Sequence, residues 1–240
     1  MPTRSATASV TSDAGMSTPA VTALAAKQFD RFTIRADELD GKKAVEYEAT
    51  ILGMLRSYEA TVTGHALLNG FRFYQREVLV FPYDRKAGHC NAWADSDSGM
   101  FRTKVSFSPQ NWNGMSACYG PGSAGTSPHE VFFHELIHAL RSTGRIFGAF
   151  NRAGEEEVAI MLANIFSSEL RRSLRRDHFG SVPVVMTSEE FLKGNTPMVQ
   201  AFCKQQPDFC RWIAEVTVPF NPVRAYYLTL KGVPRLRSAP

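Results

Sequence analysis

The sequence predicts an α+β fold, mainly helical with a small mixed sheet, and three observations predict it. Long stretches repeat their apolar residues at helical spacing, two short runs alternate or run apolar as strands do, and loop signals separate them. With 240 residues and 44% hydrophobic content the chain can bury a sizeable core and reads as one domain.

The elements follow in order. Residues 1–27 are rich in Ser, Thr and Ala and nearly free of large apolar groups, so they are expected to be disordered. They also lack the central hydrophobic stretch of a Sec-type signal peptide. The folded domain is expected over 28–232, with a short tail at 233–240. A helix is expected over 43–57, where Val45, Ile51, Leu52 and Leu55 fall at roughly helical spacing, followed by strands at 77–81 and 103–107. Residues 114–125, with glycines at Gly114, Gly120, Gly122 and Gly125, read as a connection. Two strongly apolar helices come next, over 131–140 and 155–166, joined by a Gly-containing segment. The cluster Arg171, Arg172, Arg175 and Arg176 reads as cations at the end of the second of these helices, which suits the macrodipole and does not argue for nucleic acid. One or two helices are expected over 188–216 with Phe202 and Trp212 in the core, then a short helix around 224–227. No run approaches 18 apolar residues, so no membrane span is expected. The net charge of +4 is mild. Cys90, Cys118, Cys203 and Cys210 lack zinc-finger spacing and are expected as free thiols; a Cys203–Cys210 or Cys90–Cys118 bridge would point to an oxidising compartment.

The chemistry concentrates at His134-Glu135-Leu136-Ile137-His138, an HExxH sequence. On a helix, residues four apart stack on one face, so His134 and His138 offer two imidazoles to one Zn²⁺, with Glu135 placed as general base. The flanking residues Val131 to Leu140 are apolar apart from these three. Ionisable groups in such a helix are costly unless paired, neutral or metal-bound. A catalytic zinc needs a third protein ligand. Glu155, Glu156 and Glu157 open the next apolar helix, and Glu156 shares a face with Ile160 and Ala163, so Glu156 is the expected ligand. Glu155 is expected to orient a ligand histidine through a hydrogen bond, and Glu157 remains the alternative ligand. Arg224 and Tyr227, in R-x-x-Y spacing, are candidates to hold an oxyanion, and His178 beside Asp177 is a further catalytic candidate. His129 falls off the ligand face, near the helix start.

The HELIH core, the carboxylates opening the next helix and Arg224-Ala225-Tyr226-Tyr227 resemble the gluzincin arrangement of clostridial neurotoxin light chains. The runs HEVFFHELIHALR, EEEVAIMLANIFSSE, LRRDHFG and PFNPVRAYY are more similar still to the metallopeptidase effector domains of type VI secretion spike (VgrG) proteins and their stand-alone relatives, across about residues 85–230. The interval from His138 to Glu156 is shorter than in the toxins, which keeps Glu155 and Glu157 open as ligands. The resemblance implies a zincin-like metallopeptidase whose active-site helix lies under an edge strand, here the 103–107 strand. It also implies a secreted effector toxin acting in the periplasm or cytoplasm of a target cell. Its partners would be a protein or peptide substrate, a secretion-system component and a cognate immunity protein, with neither nucleic acid nor membrane among them.

The expected reaction is peptide-bond hydrolysis: Zn²⁺ held by His134, His138 and Glu156 acidifies a water, and Glu135 takes its proton and passes it to the leaving amine. Two other readings share these residues. One is a zinc-dependent hydrolase of a non-protein target such as a cell-wall peptide bridge, and the other a non-catalytic zinc-binding recognition module.

Overall fold

The computed structural model describes residues 27–83, 92–96, 102–112, 123–142, 152–177 and 183–231. The expected disordered segment and tail, His178, Cys90, Cys118 and most of the 114–125 connection lie outside the described residues. The described chain is α+β and mainly helical, as expected.

Two short strands, β1 (Lys27–Phe29) and β2 (Phe32–Ile34), open the fold, and neither is expected from the sequence because three residues carry too little pattern. Helix α1 (Gly41–Glu59) covers the expected segment and starts where the Asp40 side chain accepts from Lys43 N–H. Helix α2 (Val62–Phe73) begins at Thr61 and has a distant second cap. The Glu169 carboxylate accepts from the Val62 and Thr63 amides at 2.6 and 2.8 Å, which places an anion at the positive end of the helix.

Strands β3 (Glu77–Phe81), β4 (Trp93–Ser96) and β5 (Arg102–Ser106) complete a five-stranded sheet of order β1-β2-β3-β5-β4. The central pairs β2–β3 and β3–β5 are parallel, and both edges are antiparallel to their neighbours, so the sheet is mixed. Val78, Val80, Thr103 and Val105 point into the core from alternate positions. The edge-strand expectation for 103–107 is corrected here: β5 is hydrogen-bonded on both sides, and β4 forms the edge. A four-residue strand interrupted by Asp95 shows almost no apolar alternation, which is why the sequence hides it.

Helix α3 (Pro128–Ser142) packs beneath β4 and β5 and against α4 (Arg152–Glu169). Thr103 Oγ1 donates to the Ala139 carbonyl at 3.2 Å and ties sheet to helix. Tyr58 of α1, fully buried, donates to the His129 carbonyl at 2.7 Å and stacks edge-on against Phe133 and Phe166. This interior, centred on the α3–α4 contact, holds Phe133 and Phe166 face to face with centroids 4.3 Å apart.

Only the first half of the arginine cluster, Arg171 and Arg172, sits at the end of α4. Helix α4 stops at Glu169 because Arg171 takes φ +56° while the Arg171 and Arg172 amides bond back to the Ser168 and Ser167 carbonyls, a Schellman closure without glycine. The chain then enters β6 (Leu174–Arg175), which pairs with β7 (Pro183–Val184). Helices α5 (Ser188–Gln205), α6 (Pro207–Glu215) and α7 (Pro222–Leu230) fill the C-terminal third, with Phe202 fully buried and Trp212 packed at the core's margin. Cys203 and Cys210 are disulfide-bonded across the α5–α6 turn, which corrects the expectation of free thiols for that pair. No described helix is long and apolar enough to cross a membrane.

Candidate metal centre

Helix α3 is started by Ser127 and Glu130 acting as a capping box. Ser127 N–H donates to the Glu130 carboxylate and Glu130 N–H to Ser127 Oγ, each at 3.3 Å, and Pro128 occupies the first helical position. Glu130 is buried and also accepts from Ser167 Oγ of α4 at 2.6 Å. Every residue from Glu130 to Arg141 is buried, so the whole middle of the helix is interior.

His134 and His138 lie one turn apart on the face toward α4, and Glu156 meets them from the second turn of α4. The two Nε2 atoms are 3.0 Å apart, and Glu156 Oε2 is 3.3 Å from His134 Nε2 and 3.4 Å from His138 Nε2. Four ligands in a tetrahedron with bonds of about 2.0–2.1 Å are spaced about 3.3–3.4 Å apart, so this triangle matches one face of a zinc coordination sphere. These three residues can hold a metal ion. The two imidazoles and the Glu156 oxygen that faces them are buried, while the Glu156 side chain as a whole keeps 27% of its surface. Glu135, 7% exposed, sits between the two histidines in sequence.

The electrostatics favour neutral imidazole. Burial first, and then the Arg175 guanidinium, push His134 well below the usual histidine pKa. Arg175 reaches the ring from behind: its Nη2 donates to His134 Nδ1, the nitrogen opposite the ligand atom. His138 Nδ1 is buried with no hydrogen-bond partner among the described residues.

Glu155 does not orient a histidine. It forms a fully buried two-point ion pair with Arg141, at 2.8 and 3.1 Å, and Arg141 also donates to Gln206 and Gln205 at 2.8 and 3.0 Å. The reason is geometric: Glu155 is 100° around the helix from Glu156 and faces the end of α3 rather than the ligand turn. Glu157 is exposed and lines a cavity of about 580 Å³ with Ile160, Arg176, Met186 and Phe191.

Arg224 and Tyr227 lie on α7, where their described contacts are with the C-terminal helices. The Arg224 guanidinium donates to the Ala214 carbonyl at 3.1 Å, and α7 packs mainly on α5 and α6. No hydrogen bond or ion pair among the described residues joins either residue to His134, His138 or Glu156. The cation that does reach the site is Arg175, which sequence reasoning assigned to a helix end. Arg141 could have been found: it is three residues beyond His138 and seven beyond His134, on the same inward face, and a buried arginine needs a carboxylate.

Comparison with known proteins finds no matching family model, no similar characterised sequence and no solved structure of matching fold.

Proposed function

We propose that the protein is a zinc-dependent metallopeptidase of the HExxH type, secreted as an effector toxin that acts on a protein or peptide in a target cell. The observation that carries this reading is the His134–His138–Glu156 triangle, with edges of 3.0–3.4 Å and Glu135 within the same turn of α3. Two further features support it. The mixed sheet ends in an antiparallel strand, β4, above the active-site helix, the placement a zincin-like fold needs to take up an extended substrate by main-chain hydrogen bonds. The Cys203–Cys210 disulfide suits an oxidising compartment such as the periplasm of the target cell.

His134, His138 and Glu156 would hold Zn²⁺, which supplies Lewis acidity and a water acidic enough to be deprotonated near neutral pH. Glu135 is the proton carrier: it takes the proton from the attacking water and returns it to the leaving amine. A metal-binding His134 has to be neutral, and burial and the Arg175 charge favour that form. The resemblance of four ordered sequence blocks to type VI secretion effectors underlies the assignment of secretion, and with it an immunity protein in the producing cell.

The test is elemental analysis of wild type, Glu135→Ala, Glu156→Ala and His134→Ala, paired with hydrolysis of a peptide library. Wild type and Glu135→Ala should each hold about one zinc, the other two should lose it, and cleavage should need Glu135. Wild type without zinc, or Glu135→Ala with undiminished cleavage, overturns the proposal. Cleavage of isolated peptidoglycan in place of the peptide library would move the substrate to the cell wall.

A further inference from the structure

We infer that the cavity lined by Glu157 and Ile160 is a specificity-determining substrate subsite, and that it takes the side chain of a lysine or arginine lying within two residues of the bond that is cut. The inference rests on the reading of the protein as a metallopeptidase and names the substrate class such an enzyme would take.

The cavity holds about 580 Å³, within the range of about 300–1,000 Å³ usual for ligand sites, so it accommodates one long side chain. Its place relative to the metal centre follows from the two chain segments that wall it. On one side, Glu157 and Ile160 belong to α4, the helix that carries Glu156. Each helical residue turns about 100° and rises about 1.5 Å, so Ile160 stands only about 40° from the direction of Glu156 and about 6 Å further along. Glu157 stands about 100° round in the same sense, with Ile160 between the two directions. On the other side, Arg176 and Asp177 directly follow Arg175, whose guanidinium meets His134 Nδ1. Both walls therefore continue segments that touch the ligand triangle. An extended peptide advances about 3.3–3.4 Å per residue, so two residues of a substrate whose scissile carbonyl sits at the metal cover the 6 Å or so to the cavity.

The chemistry of the lining selects the side chain. Ile160, Met186 and Phe191 give an apolar wall, and Phe191 is fixed by an edge-on contact with Phe220 at a centroid distance of 5.6 Å. Three carboxylates, Glu157, Asp177 and Glu190, line the same space against one cation, Arg176, which leaves two negative charges in excess. Glu190 is held at the start of α5, where its carboxylate accepts from the Thr187 amide at 2.8 Å. A lysine or arginine combines an apolar stem with a terminal cation, the combination that answers both parts of such a lining. A glutamate or aspartate would be repelled by the excess charge, and a purely apolar side chain would gain only the wall.

The experiment compares kcat/KM of the zinc-loaded protein on pairs of peptides that carry lysine or norleucine, a similar stem without the ammonium, at each position up to two residues either side of the cleaved bond. A partly exposed ion pair contributes about 1.4- to 5-fold, so two in excess should make wild type prefer lysine about 2- to 25-fold at one position. Glu157→Gln should cut that ratio, and Glu157→Lys, which brings the lining to neutrality, should abolish it. Arg176→Gln should raise it about 1.4- to 5-fold. A ratio cancels any general loss of activity, and a damaged fold would not move it in opposite directions at the two residues. The same peptides, dye-labelled and titrated into Glu135→Ala, should bind with the same preference, a readout that needs no turnover. A ratio near one at every position in wild type, or a lysine preference that all three variants leave unchanged, overturns the subsite and leaves the metallopeptidase standing. Cleavage of no peptide by the zinc-loaded wild type overturns that reading, and equal binding of the paired peptides to Glu135→Ala then overturns the subsite as well.

Discussion

Replacing Glu155 by Gln should destabilise the protein more than any other single substitution of a charged residue outside the ligand set. Arg141 is completely buried, with its guanidinium 5.4 Å from the Phe202 ring. Among the described residues, its side chain makes two bonds to Glu155 and one each to the neutral Gln205 and Gln206. Without the Glu155 charge, the guanidinium cannot shed its proton and loses the carboxylate that meets it at two points, keeping the neutral Gln205 and Gln206 among its described partners. Breaking a buried pair from one side costs about 3–5 kcal/mol. For a domain of this size that is a fall in melting temperature of roughly 6–20 °C. Urea unfolding of the metal-free protein measures it directly. The double variant Arg141→Met, Glu155→Gln should recover most of the loss, because it is the stranded charge, and not the missing attraction, that is expensive. A loss under about 1 kcal/mol for Glu155→Gln, or a double variant no better than the single, would refute the account of a dry, uncompensated cation.

Three further outcomes are expected. Reducing the Cys203–Cys210 bridge, or replacing both residues by Ser, should lower unfolding free energy by about 2–3 kcal/mol, from the entropy of a loop closed at a separation of 7 residues; equal urea midpoints with and without reductant would contradict it. Burial and Arg175 depress the folded-state pKa of His134 below its unfolded value of about 6.5, so the native protein binds fewer protons there than the unfolded chain. The metal-free protein should keep this contribution above about pH 6.5 and lose it as the pH falls below, and a His134→Gln variant should show a flatter urea-midpoint profile from pH 7.5 to 5. Gly125→Ala should cost about 1–3 kcal/mol, since the left-handed backbone strains any side chain and the new Cβ collides with Arg175 Cδ; a melt unchanged from wild type would show that the Arg175 stem can move aside.

The histidine pair and Glu156 were legible because helical periodicity is a local property: four-residue spacing fixes a face, and the apolar residues around it fix which way that face points. The helices α1, α3 and α4 and the strand β3 carry the same kind of repeating signal. What the sequence concealed is set by distant partners. Glu155 and Glu156 are neighbours in sequence, yet one meets Arg141 and the other the histidines. Arg175 looked like part of a basic helix end because nothing local announces that Arg171 adopts a positive φ and turns the chain into a strand. Strand β4 owes its existence to pairing with β5, and its own four residues give no warning of it.

The helix pair that carries the ligands is tied at both ends, and the ties bear on the metal site. Glu130 near the start of α3 accepts from Ser167 near the end of α4, and Arg141 near the end of α3 binds Glu155 near the start of α4, so the helices run antiparallel. The intervals are 11 residues on α3 and 12 on α4, roughly 16 and 18 Å at 1.5 Å per residue, so the two ties demand nearly the same length of helix. Between them Phe133 stacks on Phe166. A slide of either helix would have to break a buried polar contact at one end, and a slide of 1 Å would spoil a triangle whose edges must be near 3.3 Å to hold zinc. Glu130→Ala therefore tests whether the site is preorganised from outside. It removes the capping box and the Ser167 bond and should cost about 1–2 kcal/mol of stability. It should also weaken Zn²⁺ binding severalfold, although Glu130 lies a full turn from His134 and touches no ligand. Stability lost with Zn²⁺ affinity unchanged would mean that the Arg141–Glu155 tie and the aromatic stack suffice to hold the register.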